Sequence, residues 1–272
     1  MSKGFKITLI ILLSLIAFLL TGILIYLLAN GSSFSFHIGS GQSQKLIEER
    51  KLETIKDISL NVNVVDITFK KSSEETIKIE LYSDNCKEYE IIDEDFIKVI
   101  FKEKDGFRFM RKAPRIIVTV PENYDKNISI NGEVTDIDIP SLDNANLTVD
   151  INVGDLDLGN LNKVMIDAST GDVKIKEVND IKVEINTGDI KIESVNNSID
   201  LDVNAGDIKI QKIDIKENGR IKLDTGNVKI SKVGDIYVDA KTDLGSLKVQ
   251  GDNRKSDITL TIRNNFGDIK VG

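Results

Sequence analysis

Carboxylates that recur next to glycine are the side chains of this sequence best placed to do chemistry. Seven segments share the pattern Gly-Asp-aliphatic-Lys-aliphatic, with Asn, Ser or Asp substituted at single positions. A carboxylate repeated in this way can supply oxygen ligands to a cation, or form one half of an acid–base pair. The glycines and acidic residues of the pattern are Gly154, Asp155, Gly171, Asp172, Gly188, Asp189, Gly206, Asp207, Gly226, Gly245, Gly267 and Asp268.

The spacing of these glycines favours a structural role for the carboxylates. The glycines recur at nearly even intervals between Gly154 and Gly267, so the acidic residues follow a repeat and do not form one unique pair. The calcium-binding β-roll pattern Gly-Gly-x-Gly-x-Asp, with its period of about nine residues, is absent. We therefore predict that each glycine forms a corner, because it adopts a left-handed backbone without Cβ strain. The next residue, Asp, is predicted to accept hydrogen bonds from neighbouring backbone amides.

The rest of the composition excludes most other chemistry. The only histidine, His37, lies in a Ser/Gly-rich segment, and Cys86 is the only cysteine. A Ser-His or Cys-His pair, a disulfide and a Cys/His zinc site are therefore not expected in the folded part. The chain carries 36 Lys and Arg against 44 Asp and Glu, a net charge of −8, which argues against a nucleic-acid-binding surface. The sequence predicts no enzyme, no catalytic residue, no cofactor and no metal site.

Stacking of the repeats would line up charged residues. The middle of the strand after each glycine gives a row of lysines that follows Asp157, and the strand before each glycine gives a row of acidic residues. Both rows fit a solvated surface whose charges discourage edge-to-edge aggregation. The functional alternatives are a lysine stripe that binds a polyanion and an acidic stripe that binds cations. The lysines are Lys174, Lys191, Lys209, Lys229, Lys248 and Lys270, and the acidic residues are Asp150, Asp167, Glu184, Asp202, Asp224 and Asp239.

Alternation of apolar and polar residues predicts that the elements carrying these rows are strands. Each repeat contains a second alternating segment before its glycine, such as Ile181–Ile185, and one further apolar residue after it, such as Val178. Two short strands and a corner within one repeat form one coil of a solenoid. The fold class predicted is all-β, a single-stranded, β-helix-like β-solenoid of short stacked rungs, preceded by one transmembrane helix. If the strand ending at Val271 is the last of the stack, it leaves an uncapped edge, with Phe266 the only aromatic residue nearby.

The N-terminal residues predict a membrane anchor. Residues 7–28 form a continuous apolar run that follows Lys3 and Lys6, and this run is long enough to span a bilayer as a helix. The positive-inside rule then places the N-terminus in the cytoplasm and the rest of the chain outside the cell membrane. The competing interpretation, a cleaved signal peptide, needs a shorter run and a better cleavage site. The predicted organisation is a cytoplasmic stub at 1–6, the membrane helix at 7–28, a flexible linker at 29–50, N-terminal β rungs or a cap at 51–125, and the solenoid repeats at 126–272.

Several segments together resemble a family of candidate adhesins of bacterial envelopes that includes the LiaG-like proteins. They are SLNVNVVDITF, TIKIELYS and RIIVTVP in the first half, followed by TGDVKI, TGDIKI, AGDIKI and TGNVKI. The resemblance covers about residues 52–271. It implies a membrane-anchored or secreted β-solenoid without enzymatic activity, and for the LiaG-like branch a link to cell-envelope stress. The sequence departs from the family pattern at Val65 and Thr135, which stand where the family usually has glycine.

Three functions compete on the sequence alone. The first is a non-catalytic extracytoplasmic module that binds an envelope polymer or a partner membrane protein. The second is a structural stalk that self-associates through the C-terminal edge of its solenoid. The third is an enzyme acting on cell-wall glycans, which would need two non-equivalent carboxylates in a cleft.

Overall fold

The computed structural model describes residues 44–84, 86–103 and 114–272. The predicted stub, the predicted membrane helix and the predicted linker as far as residue 43 lie outside these residues. Within the described part there are strands and no helix, and hence no helix that could cross a membrane. The strands are β1 (Leu46–Leu52), β2 (Ile58–Val62), β3 (Asp66–Ser72), β4 (Ile77–Tyr82), β5 (Cys86–Asp93), β6 (Ile97–Glu103), β7 (Arg115–Pro121), β8 (Asn127–Val134), β9 (Ile137–Ile139), β10 (Leu142–Val153), β11 (Leu156–Thr170), β12 (Val173–Thr187), β13 (Ile190–Ala205), β14 (Ile208–Ile213), β15 (Gly219–Thr225), β16 (Val228–Ile230), β17 (Tyr237–Leu244), β18 (Leu247–Val249), β19 (Thr259–Phe266) and β20 (Ile269–Val271).

Parallel pairing between repeats builds the stack. In the middle of the chain, β12 pairs in parallel with β11 on one side and with β13 on the other. Each rung has two faces, which we name by their position relative to the repeat glycine. The pre-glycine face contains the strand that leads into the corner, and the post-glycine face contains the strand that leaves it. The prediction of an all-β solenoid is confirmed.

Alternation within each strand places the aliphatic residues inside. On β12, Val173 and Ile175 are buried on either side of the exposed Lys174, and Ile181 and Val183 are buried on either side of the exposed Lys182. Equivalent residues of successive rungs stack, so the core is a set of aliphatic columns running along the solenoid. Complete burial of one such side chain stabilises the fold by about 1.5–3 kcal/mol.

The rungs at the N-terminal end do not follow sequence order. The rung formed by β2 and β3 lies between the rung formed by β6 and β7 and the rung formed by β8 and β9. Beyond the β6–β7 rung the parallel pattern stops. There, β4 pairs antiparallel with β7, β1 pairs antiparallel with β4, and β5 pairs antiparallel with β6.

Part of the predicted linker is a strand. Leu46–Arg50 were included in the linker 29–50, but they form most of β1. Among the described residues β1 pairs along one edge only, and most of its side chains are exposed, so its sequence does not need to alternate. Pairing with β4, and not burial of one face, holds this segment in place.

The C-terminal rungs are also out of sequence order, which corrects the expected position of the free edge. Strand β19 pairs with β15 on one side and β17 on the other, and β20 pairs with β16 and β18 in the same way. The last rung in sequence is thus inserted before the rung formed by β17 and β18. The strand that ends at Val271 is an inner strand, and the edge of the described stack is formed by residues 237–249.

Candidate functional site: the lysine column

Register brings the six predicted lysines into one row, which we call the lysine column. Lys174 pairs with Lys191, Lys191 with Lys209, and Lys209 with Lys229. Lys229 then pairs with Lys270, and Lys270 with Lys248. The insertion of the last rung therefore exchanges the order of the final two lysines. All six side chains are exposed on the post-glycine face.

Most of the lysine column has no counterion within the described residues. Lys209 is the exception, because its Nζ lies 3.1 Å from Oδ2 of Asp207. That hydrogen bond and the charge of Asp207 raise the pKa of Lys209. The other five lysines form no ion pair with a described residue. Neighbouring strands are about 4.8 Å apart, and like charges directly opposite each other are unfavourable.

Acidic residues precede the lysine column on the same face. Asp138 pairs with Asp157, and Asp157 pairs with Lys174. A shallow groove of about 320 Å³ lies at this end, lined by Asp66, Asp138, Asp157 and other residues. Burial raises the pKa of the Asp66 carboxyl, and the nearby charge of Asp136 adds to the effect. The charge of the side chains along this row thus changes from negative to positive between Asp157 and Lys174.

The corner aspartates form a second row beside the lysine column, which we call the aspartate ladder. Each carboxylate accepts a hydrogen bond from the backbone N–H of the equivalent residue one rung further along, for example Asp189 N–H to Asp172 Oδ1 at 2.9 Å. Near the end of the stack Asn227 and Ser246 take the place of aspartate, and Ser246 N–H donates to Asp268 at 2.8 Å. The hydrogen bond from the Asn227 amide is the main reason that the pKa of Asp207 is lowered. The sequence predicted amide acceptors here, but the bonds join successive rungs and do not close a turn within one corner.

The repeat glycines are required by the stack as well as by the backbone conformation. Gly188 has φ +157°, and a Cβ at this position would meet the carbonyl oxygen of Gly171 at a distance no real structure tolerates. The same contact recurs at each of the seven repeat glycines. At Gly154 the neighbouring carbonyl belongs to Thr135, and at the other six it belongs to another repeat glycine. Thr135 is itself fully buried, and among the described residues its hydroxyl has no hydrogen-bond partner. Val65, at the other corner that lacks glycine, is also fully buried.

The predicted acidic row on the pre-glycine face is only partly correct. Asp150, Asp167, Glu184 and Asp202 do stack in that order. The next members of the row are basic: Asp202 pairs with Lys222, Lys222 with Arg263, and Arg263 with Lys241. Asp224 and Asp239 belong to neighbouring rows, because the residues that align are those four positions before each glycine. Lys222 Nζ lies 3.0 Å from Asp202 Oδ1, so an ion pair marks the change of sign.

One ladder was missed from the sequence. On the side away from the glycines, Asn146, Asn162 and Asn179 each donate a side-chain hydrogen bond to the Asn of the rung before, at 2.9–3.0 Å, and the first acceptor is Asn127. The sequence feature that indicates this ladder is a series of asparagines that recur with nearly the same period as the glycines. Within the described residues, no group of three or more His, Cys, Asp or Glu side chains is arranged to hold a metal ion.

The parallel stack identifies the fold as a β-solenoid, and the lysine column gives its surface one exposed positive charge on each of six rungs. The sequence matches the family model described as Toastrack DUF4097 over residues 55–271. The chain therefore belongs to the Toastrack DUF4097 family. No curated protein matches it.

Among solved structures, the chain is similar to a candidate adhesin from Bacteroides fragilis, at 17% identity and a TM-score of 0.48, covering 86% of this chain and 100% of the other. It is also similar to a candidate cell adhesion protein from Clostridium sporogenes, at 13% identity and a TM-score of 0.30, covering 84% and 99%. A candidate lipid-binding protein from Parabacteroides distasonis gives 12% identity and a TM-score of 0.36, covering 83% and 96%.

Proposed function

We propose that this chain is a non-catalytic, membrane-anchored binding module of the cell envelope, and that its lysine column binds an anionic envelope polymer. Residues 7–28 are the anchor and the solenoid lies on the extracytoplasmic side. The resemblance to LiaG-like proteins supports a role in the response to envelope stress. The observation that carries the proposal is the line of six in-register lysines, five of them without a counterion in the described structure, on a protein of net charge −8.

The geometry favours a polymer over a small anion. A single rung offers one lysine, and in four of the six rungs a ladder aspartate lies two residues before it, so these sites alone are nearly neutral. A linear polyanion gains one contact per rung, and the contacts add because they lie on one straight line. Binding of such a chain would also relieve the repulsion between neighbouring lysines.

The aspartate ladder supports this assignment because it keeps its carboxylates occupied. Oδ1 of each ladder aspartate accepts a backbone N–H, as Asp155 does from Asp172 at 2.9 Å. Among the column lysines of the described structure, only Lys209 reaches the other carboxylate oxygen, Oδ2 of Asp207. The other lysines are therefore available to a ligand without the loss of an existing ion pair.

The glycan-hydrolase alternative has less support in the carboxylate-lined groove. Two of the aspartates that line it, Asp136 and Asp155, accept backbone hydrogen bonds of the ladder. Asp66 has a raised pKa, as a general acid would, but the cause is burial beside Asp136. These carboxylates are explained by their place in the stack.

A binding experiment on the full chain in nanodiscs of neutral lipid tests the proposal. The probe is poly(glycerol phosphate), with neutral dextran as the control polymer. The triple variant Lys174→Gln, Lys191→Gln and Lys229→Gln should weaken binding roughly tenfold or more, because each lost contact between charges near 4 Å is worth about 1 kcal/mol in water. Binding of the unchanged chain should also weaken as salt is raised.

The matched control changes three exposed lysines outside the column that likewise form no ion pair with a described residue, Lys163, Lys232 and Lys255, to glutamine. It removes the same net charge and should leave the affinity within about twofold of that of the unchanged chain. Equal losses in the two triple variants would show that only net charge matters, and would contradict the assignment of the column. No binding of the polymer at low salt would contradict the proposed function itself.

A further inference from the structure

The two ends of the described stack are built differently. At the far end, β17 pairs only with β19 and β18 only with β20, so this end rung presents the edges of both faces at the same level. At the other end the post-glycine face is extended by two antiparallel strands, β4 and β1, and the pre-glycine face by one, β5. At that end the two faces stop at different levels, so we call it uneven. At the β17–β18 end both faces stop at the same level, so we call it flush.

The flush end exposes apolar side chains. On the end rung Leu244 is 62% exposed and Leu247 49%, and Phe266 on the adjacent inner strand β19 is 55% exposed. Leu244 lies directly beside Phe266 in the register, and Leu247 continues a core column that Ile269 and Val228 fill in the inner rungs. The core column therefore ends at an accessible surface. Exposed apolar residues on a flat sheet edge are typical of a pairing site.

The end rung carries two opposite charges that would be complementary to those of a second copy. Lys241 and Asp243 are both exposed and flank Thr242 on β17, where their side chains form an ion pair at 2.8 Å. In an antiparallel pairing of two such strands centred on Thr242, Lys241 of one copy lies opposite Asp243 of the other. The two-fold axis repeats the contact, so one interface contains it twice. Charges of a single sign would instead have blocked this edge.

We propose that a second copy of this chain binds the β17–β18 end rung, tail to tail, around a two-fold axis. Head-to-tail addition is disfavoured because the uneven antiparallel end cannot match both edges of the end rung at once. A lipid surface is disfavoured because it would remove water from unpaired backbone groups without replacing their hydrogen bonds. The proposal does not rest on polymer binding by the lysine column, although Lys248 of that column lies on β18. It moves the self-association edge from the C-terminal strand to residues 237–249.

Sedimentation velocity of the full chain in a density-matched detergent tests the pairing through charge reversal. The unchanged chain should show a concentration-dependent monomer–dimer equilibrium. Lys241→Asp places two carboxylates opposite each other at two points of the interface and should raise the dissociation constant at least tenfold. Asp243→Lys should do the same with two lysines. The double variant Lys241→Asp with Asp243→Lys should restore dimerisation, since it restores the complementarity.

The matched control is Lys182→Glu, which breaks a similar intrastrand pair with Glu184 on an inner rung and should leave the equilibrium unchanged. A chain that stays monomeric at roughly 100 µM, a concentration that would reveal any dimer of micromolar affinity, would overturn the proposal. So would assemblies that grow beyond a dimer, or a dimer that is indifferent to all three charge variants.

Discussion

Each repeat glycine sits beneath a backbone carbonyl of the adjacent rung. At Gly171 a Cβ would meet the oxygen of Gly154, and at Gly188 it would meet the oxygen of Gly171. At the seven repeat glycines the stack can keep its spacing only if no side chain is present. Two constraints therefore act on the same residue, the positive φ angle and the close approach of the next rung.

A substitution at Gly188 violates both constraints at once. Gly188→Ala should lower the free energy of unfolding by about 2–5 kcal/mol, because the added Cβ strains the backbone and also clashes with a carbonyl that cannot move without displacing its own rung. The measurement is urea unfolding of the purified chain, followed by circular dichroism.

Gly251 provides the control, since its φ is +77° and nothing lies within 4 Å of a Cβ built there. Gly251→Ala carries the cost of conformation alone, about 1 kcal/mol. If the two variants lose the same stability, the contact between rungs contributes nothing and the steric account is wrong.

At the scale of residues, much of the site could be predicted from the sequence. A corner glycine, an aspartate that accepts amides and a lysine in the middle of the next strand all follow from a repeat that is nearly constant in length. The structure at positions where another residue replaces the repeat glycine is harder to predict. Nothing in the sequence shows that Thr135 would bury its hydroxyl without a partner in the described structure, because that depends on how closely Gly132 packs against the hydroxyl.

At the scale of elements, the order of the rungs is the feature that sequence patterns could not supply. Repeats with the same period and the same apolar positions fit any neighbouring rung equally well, so periodicity specifies the rung and not its neighbour. The interval between Gly245 and Gly267 is the longest of the series. Its extra length lies in residues 250–258, which return the chain past the β17–β18 rung to the inserted one.

Cysteine crosslinking tests this order. In a Cys86→Ser background, the pair Lys229→Cys with Lys270→Cys should form a disulfide under mild oxidation, because these residues are register partners on adjacent strands. Strands about 4.8 Å apart fall within the Cα separation that a disulfide needs. The pair Lys270→Cys with Lys248→Cys should also crosslink.

The pair Lys229→Cys with Lys248→Cys is the discriminating one. The inserted rung separates these residues by roughly twice the strand spacing, about 10 Å, which is too far for a disulfide. Stacking in sequence order would reverse the outcome, with a crosslink between positions 229 and 248 and none between 229 and 270.

At the scale of the whole molecule, charge is separated along the described stack. Residues 126–170 contain 2 Lys and 8 Asp and Glu, a net charge of −6, whereas residues 219–272 contain 10 Lys and Arg and 7 Asp, a net charge of +3. The change of sign occurs on both faces, after Asp157 on the post-glycine face and after Asp202 on the pre-glycine face. A polyanion should therefore bind with a preferred position, toward the β17–β18 end.

Lysine footprinting tests the central claim most directly, because it reports each side chain separately. The full chain in nanodiscs of neutral lipid is acetylated with and without poly(glycerol phosphate), and the modified positions are quantified by mass spectrometry. The account predicts that the five unpaired lysines of the column, Lys174, Lys191, Lys229, Lys270 and Lys248, lose reactivity together, while Lys163 and Lys232 keep theirs. Protection spread evenly over all lysines, or concentrated outside the column, would contradict it.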